Sequence, residues 1–344
     1  MSGFEQTVRA HAARWPRMEP QDYGKLAYQS EFGPEHLIRD RAGVGAMLEE
    51  ELAVSAGPAI PPEPIGSGLC RFHLEGLEPD AAPLLLELFC RTAAEHRGTR
   101  EGLEERLAVL ERLNVPGMDQ WLARWRAEGC PAVSHSLTFR DAYAPHYRLL
   151  AEPYARFFPA LLAVDRLVRS GRPAIVAIDG RCGSGKTTLA ALIARLFPCN
   201  VFHADDFYLP FDRRIPGWET IPCANMDLDR LDREVLAPTL AGEDVAYRAY
   251  NCPSGAFKPV VPTPFRPLTV VEGSYSTHPS LRDKYALRIF LTCPPEEQAA
   301  RLQAREGDYY PMFQRRWIPL EEGYFSACGV EDGCQIVLNA AELR

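Results

Sequence analysis

Ile175-Val176-Ala177-Ile178-Asp179-Gly180-Arg181-Cys182-Gly183-Ser184-Gly185-Lys186-Thr187-Thr188 is a short β-branched run followed by G-x-x-x-x-G-K-T. A helical pattern continues it, Leu189-Ala190-Ala191-Leu192-Ile193-Ala194-Arg195-Leu196. A buried strand feeding a glycine-rich turn and a helix start is the setting in which this spacing binds phosphate, a P-loop or Walker A motif. The glycines let backbone N–H groups curl inward, and the helix N-terminus adds partial positive charge. Gly180, Cys182, Gly183, Ser184, Gly185, Lys186, Thr187 and Thr188 are therefore the expected nucleotide-binding positions. Lys186 can reach the β- and γ-phosphates, and the Thr187 hydroxyl can ligate Mg²⁺. The stretch predicts a nucleoside triphosphate as ligand.

Outward from this motif the second half of the chain alternates. Candidate strands are 174–178, 200–203, 268–272, 288–292 and 335–338, with helical patterns at 189–196, 231–240 and 295–305. Short apolar strands alternating with helices predict an α/β fold, a parallel sheet flanked by helices. Ligands of such sheets sit at the carboxyl ends of the strands, where Gly180, Asp205 and Glu272 all fall. Asp205-Asp206-Phe207-Tyr208 ends one strand with adjacent carboxylates, suited to deprotonating an acceptor hydroxyl or to holding Mg²⁺. Leu268-Thr269-Val270-Val271-Glu272-Gly273 ends another in an acid, the Walker B position. Arg301 and Arg305 stand four apart and share one helix face, where they can pair with Glu297 or Glu306 or lean over phosphate. Arg315 and Arg316 follow.

The first half carries no comparable chemistry. Leu103, Leu107, Leu110 and Leu113, then Trp121, Leu122 and Trp125, recur at helical spacings on either side of Pro116-Gly117. Pro58, Pro61, Pro62 and Pro64, with Gly66 and Gly68, read as a loop. Gly171 and Pro173 stop a helical pattern at 161–168, so the expected division is a mostly helical domain, 1–170, and a P-loop domain, 171–344. Polar and aromatic clusters at Asp22–His36, Ser134-His135-Ser136, Tyr143, His146, Tyr147 and Tyr154 suit either a ligand-binding surface or helical packing.

The chain has 344 residues, 46% hydrophobic and 24% charged, with a net charge of −8, an ordinary globular composition. No broad basic face is available for a nucleic-acid backbone, and no apolar run is long enough to span a membrane. The start, Met1-Ser2-Gly3-Phe4-Glu5-Gln6, lacks a signal-peptide pattern, and ten cysteines show no zinc-type spacing. These features predict a cytoplasmic protein with reduced thiols and leave a homo-oligomer open.

Gly180–Thr188, Asp205-Asp206-Phe207-Tyr208, Val271-Glu272-Gly273 and the arginine segment together resemble uridine kinase-like P-loop kinases, near phosphoribulokinase, in their order along 173–338. The resemblance implies an ATP- and Mg²⁺-dependent kinase whose partner is a small-molecule hydroxyl acceptor. By it Asp205 is the catalytic base, Lys186 holds phosphate, and Thr187, Asp205 and Glu272 surround Mg²⁺. Arg301 and Arg305 act as lid arginines, and Asp206, Tyr208 and Tyr250 border the acceptor. In the base-reading segment, Asn251 follows Tyr250 where uridine kinases carry an acid, and no histidine is near, so the acceptor's identity does not transfer. The first half is similar to helical regions joined to kinase-like domains in bacterial proteins of unassigned role. The alternative from another class is a nucleotide-dependent regulatory ATPase or switch. A GTPase lacks support because no N-K-x-D segment occurs, and a transport ATPase because no L-S-G-G-Q does.

Overall fold

The computed structural model describes residues 3–38, 40–55 and 57–342. Met1, Ser2, Leu343 and Arg344, where the expected domains begin and end, lie outside them. The chain forms two compact units that divide between Arg156 and Phe157.

In the second unit five parallel strands make one sheet. Across it run Ile336–Asn339, Leu287–Thr292, Ala174–Gly180, Leu268–Glu272 and Cys199–His203. The central strand and its neighbour Leu268–Glu272 are buried at every residue, which explains their unbroken apolar runs. Parallel register sets Glu272 opposite Ile178 on one side and His203 on the other. Gly180, Glu272 and His203 thereby gather at one edge. Lys186–Leu196 follows the glycine turn as a helix, and Pro295–Glu306 follows the strand Leu287–Thr292.

The expected helix at 231–240 is interrupted by a π turn, Asp232–Leu236, just before Pro238. A second π turn, Phe313–Trp317, precedes Pro319. Proline removes a donor and its ring crowds the preceding turn, and a wider turn relieves both.

The boundary expected near Ser170 is where the helix Phe158–Arg169 ends, whereas the compact units divide before that helix begins. Phe158, Ala160, Leu161 and Val164 are buried, and the helix packs on the strands Ala174–Gly180 and Leu287–Thr292.

The first unit is helical, but the loop expected at 58–68 is corrected. Glu63–Gly66 and Leu69–His73 form a hairpin, and Tyr147–Ala151 completes a three-stranded antiparallel sheet. Glu63–Gly66 is the edge strand, so the missing N–H of exposed Pro64 is tolerated there, and a bulge at Pro64/Gly66 accommodates it. The expected helices on either side of Pro116-Gly117 are Arg100–Glu111 and Met118–Ala127.

Candidate functional site

The glycine turn is fixed by steric necessity. Gly180 has φ +133°, and a Cβ there would collide with the Leu291 carbonyl oxygen. Gly183 and Gly185 are also left-handed, at φ +76° and +96°. The Lys186 ammonium donates to the carbonyls of Gly180 (2.6 Å) and Arg181 (3.1 Å), so its charge sits at the mouth of the turn.

The Thr187 hydroxyl donates to Glu272 Oε1 at 3.2 Å, which brings the hydroxyl and the strand-end acid together. Glu272 is buried, and His203 Nδ1 lies 2.5 Å from the same oxygen. That contact, stronger than the opposing effect of burial, raises the His203 pKa. Oxygen donors of this kind suit a hard divalent cation that takes its remaining ligands from phosphate and water. Among the described residues no group of three His, Cys, Asp or Glu side chains could hold a metal by itself.

Asp205 lies exposed on the turn Ala204–Phe207, directly after the strand Cys199–His203. The surrounding protein raises its carboxyl pKa by restricting hydration; Lys186 opposes that shift, while Glu272 and Glu321 add to it. Its neighbour Asp206 has a different setting. The Tyr247 hydroxyl donates to Asp206 Oδ2 at 2.9 Å, and Arg230 Nη2 donates to the Asp206 carbonyl at 2.8 Å. Tyr208 is half-buried and interacts with Asp205. Tyr250 is buried, its ring edge-on to Phe257 at 5.3 Å.

The two helix arginines part company. Arg301 Nη1 donates to the Gly183 carbonyl at 3.1 Å, and Nη2 pairs with Glu297. Arg305 pairs with Glu306 at 2.6 Å and lies 5.9 Å from the Phe313 ring. Only the first of the two touches the P-loop among the contacts of the described residues.

Several residues that frame the turn were not singled out by the sequence. Asp179 is fully buried, and Gly180 N (2.7 Å), Thr277 N (2.9 Å), Thr277 Oγ1 (2.8 Å) and the Tyr324 hydroxyl (2.9 Å) all donate to it. Its signal was present: a carboxylate inside a buried apolar strand must find partners. Glu321, from the helix Ile318–Cys328, accepts from Cys182 N at 3.0 Å and from Ser274 Oγ at 2.5 Å. Its neighbour Glu322 takes Arg181 in a two-pronged pair at 2.6 and 2.9 Å. Gln298 Nε2 donates to the Cys182 carbonyl at 3.0 Å. No local pattern distinguishes Glu321 or Gln298 from other polar helix residues, and only the tertiary fold carries them to the turn.

No family model and no curated protein matches the chain. Among solved structures, the chain is similar over about half of its length to one described as a possible uridine kinase from Bacillus stearothermophilus. The identity is 18% over 51% of this chain and 97% of that one, with a TM-score of 0.41. A candidate fructose transport system kinase from Silicibacter sp. TM1040 shows 22% identity over 52% and 98%, with a TM-score of 0.41. Shikimate kinase from Bacteroides thetaiotaomicron shows 15% identity over 50% and 88%, with a TM-score of 0.30.

Proposed function

We propose that the second unit transfers the γ-phosphate of ATP to a hydroxyl of a small molecule, with Mg²⁺ bound during the reaction. The observation that carries this reading is the convergence of Lys186, the Thr187–Glu272 pair and Asp205 at one sheet edge. A nucleotide-binding turn alone needs no solvent-open acid beside it. A phosphotransferase does, because an acceptor hydroxyl must be oriented and lose its proton as it attacks.

In this reading the backbone N–H groups of 183–187 and the helix start after them cradle phosphate. Lys186 leaves the carbonyls of Gly180 and Arg181 for the β- and γ-phosphate oxygens. Thr187 and Glu272, with Asp205 beside them, hold Mg²⁺, which supplies charge neutralisation on the phosphates. Asp205 accepts the proton of the acceptor hydroxyl. Its upward-shifted pKa makes it a better base than an ordinary surface aspartate. Arg301, already at the Gly183 carbonyl, offers a second positive charge for the transferring group. Asp206 positions the turn through Tyr247, and Tyr208 borders the acceptor. Tyr250 acts from behind, through its packing on Phe257. A reducing compartment such as the cytoplasm suits the ten free cysteines.

The test compares Asp205→Asn with Asp206→Asn. The first is expected to lower acceptor phosphorylation by about 10²–10⁴-fold, the range for a general base, while ATP still binds. The second retains an oxygen for Tyr247 and is expected to lose far less. Products are followed with a panel of nucleosides, sugars and vitamins as acceptors. Phosphate release that no acceptor stimulates, in place of a phosphorylated product, would favour a regulatory ATPase and overturn the transferase reading.

A further inference from the structure

We propose, resting on the transferase reading of the second unit, that Arg214 forms an anion subsite beside Asp205 and that the hydroxyl acceptor is a small acid. Its carboxylate or phosphate group meets the Arg214 guanidinium, with Arg316 on the same indole as a second positive charge.

The path of the chain returns Arg214 toward the acid. The turn Ala204–Phe207, which carries Asp205, leads into Leu209, and a second short turn, Phe211–Arg213, folds the chain back. Arg214 Nε donates to the Leu209 carbonyl at 3.0 Å. The guanidinium carbon lies 4.2 Å from the Phe211 ring centre and 4.6 Å from that of Trp218. Trp218 is buried and makes a fixed platform, with the Trp317 ring 6.2 Å away. From the π turn Phe313–Trp317, Arg316 reaches the same indole at 5.8 Å.

Cys252, two residues after Tyr250, links this arginine to the proposed base. Burial pushes the Cys252 thiol up, Arg214 opposes that through its charge and a hydrogen-bond contact, and Asp205 adds to it. One side chain therefore senses both Arg214 and Asp205.

The charges near the glycine turn are otherwise balanced. Arg181, Arg301 and Arg305 pair with Glu322, Glu297 and Glu306. Among the described residues no Asp or Glu pairs with Arg214 or Arg316, Asp205 included. Arg214 is half-buried, and its Nη1 has no hydrogen bond. A thiol is a weak partner, and a ring face attracts the charge without accepting a fork of N–H groups. A carboxylate or phosphate offers paired oxygens to that fork together with the opposite charge. A neutral sugar or nucleoside leaves the charge uncompensated, and an ammonium compound is repelled by it. In the transferase reading ATP is served by the glycine turn, Lys186 and Arg301, which leaves Arg214 for the acceptor.

Calorimetry on the full-length protein saturated with Mg·ADP tests the subsite with matched probes: glycerol, glycerate and glycerol 3-phosphate. At least one of the two acids is expected to bind about tenfold or more tightly than glycerol, and the tighter one identifies the anion. Arg214→Gln is expected to weaken that acid about 10–100-fold, the scale of a charged hydrogen bond, while Mg·ATP affinity stays unchanged. Arg316→Gln should weaken it less. Arg214→Lys, which keeps the charge and loses the planar fork, should recover part of the loss. No preference for either acid over glycerol, insensitivity to Arg214→Gln, or an equal loss of Mg·ATP affinity in that variant would each overturn the subsite. Turnover separates this from the transferase reading. Acid binding through Arg214 with phosphate release that no acceptor stimulates would overturn the transferase and support the subsite. Phosphorylation of a neutral acceptor at a rate that Arg214→Gln leaves unchanged would do the reverse.

Discussion

Lys186 has two claims on it: the carbonyls of Gly180 and Arg181 that hold it now, and the phosphates proposed as its ligand. Lys186→Ala removes one preorganised positive donor, and turnover is expected to fall by about 10²–10³-fold, measured as acceptor-dependent ADP formation. Turnover near the parent level would remove the glycine turn from the mechanism. The residues of that turn were readable because phosphate binding by backbone N–H groups needs glycines and a lysine at fixed spacing. Asp179 and Glu321 act on the same few atoms from a strand interior and a distant helix. Their identity depends on which segments meet in space, and a linear pattern does not carry that. Asp205 and Asp206 were legible as a pair, but the Tyr247 contact that sets them apart arises from another segment.

At the scale of elements, the central strand and its neighbour Leu268–Glu272 announced themselves because both of their faces are covered, which demands continuous apolar runs. The hairpin at Glu63–His73 did not. An edge strand accepts proline, so its punctuation imitates a loop. Both π turns were hidden for a related reason, since the proline that shapes each one follows it in sequence. The antiparallel sheet of the first unit also buries ionisable side chains, and this predicts a pH response. His11 and His135 are both lowered from 6.5 to about 4, with burial as the largest cause in each. The unfolded chain therefore binds protons that the folded unit excludes between these values. The stabilisation is complete above pH 6.5 and is lost as the pH falls toward 4. Each histidine is expected to account for roughly 3 kcal/mol across that window. Urea unfolding of the full chain, followed by tryptophan fluorescence at stepped pH, checks it. A midpoint for the first unit that stays flat over the window would contradict neutral burial of the two rings.

Over the whole molecule, the division before Phe157 states where a fragment can be cut. Phe158, Leu161 and Val164 are buried in the second unit, and the helix that carries them packs on the sheet. A fragment of 157–344 is expected to be soluble and to bind ATP with the affinity of the full chain. One beginning at Ser170 exposes the sheet surface which that helix covers and is expected to aggregate, since large-to-small losses at single buried sites already cost about 2–5 kcal/mol. Light scattering and ATP titration of the two fragments distinguish the boundaries; equal behaviour would mean that the helix is dispensable. No helix among the described residues is long and apolar enough to cross a membrane.

Asp179 carries a further consequence, one of inheritance. A single buried carboxylate satisfies donors from its own loop, from Thr277 and from Tyr324, with no cation paired to it among those contacts. None of these positions can drift alone. Replacing Tyr324 with Phe deprives the charge of a donor, and replacing Asp179 with an apolar residue strands the donors around it. Lineages that alter one are constrained to alter the others in the same interval, so 179, 277 and 324 should travel through descent as a linked set although nearly a hundred residues separate the first two.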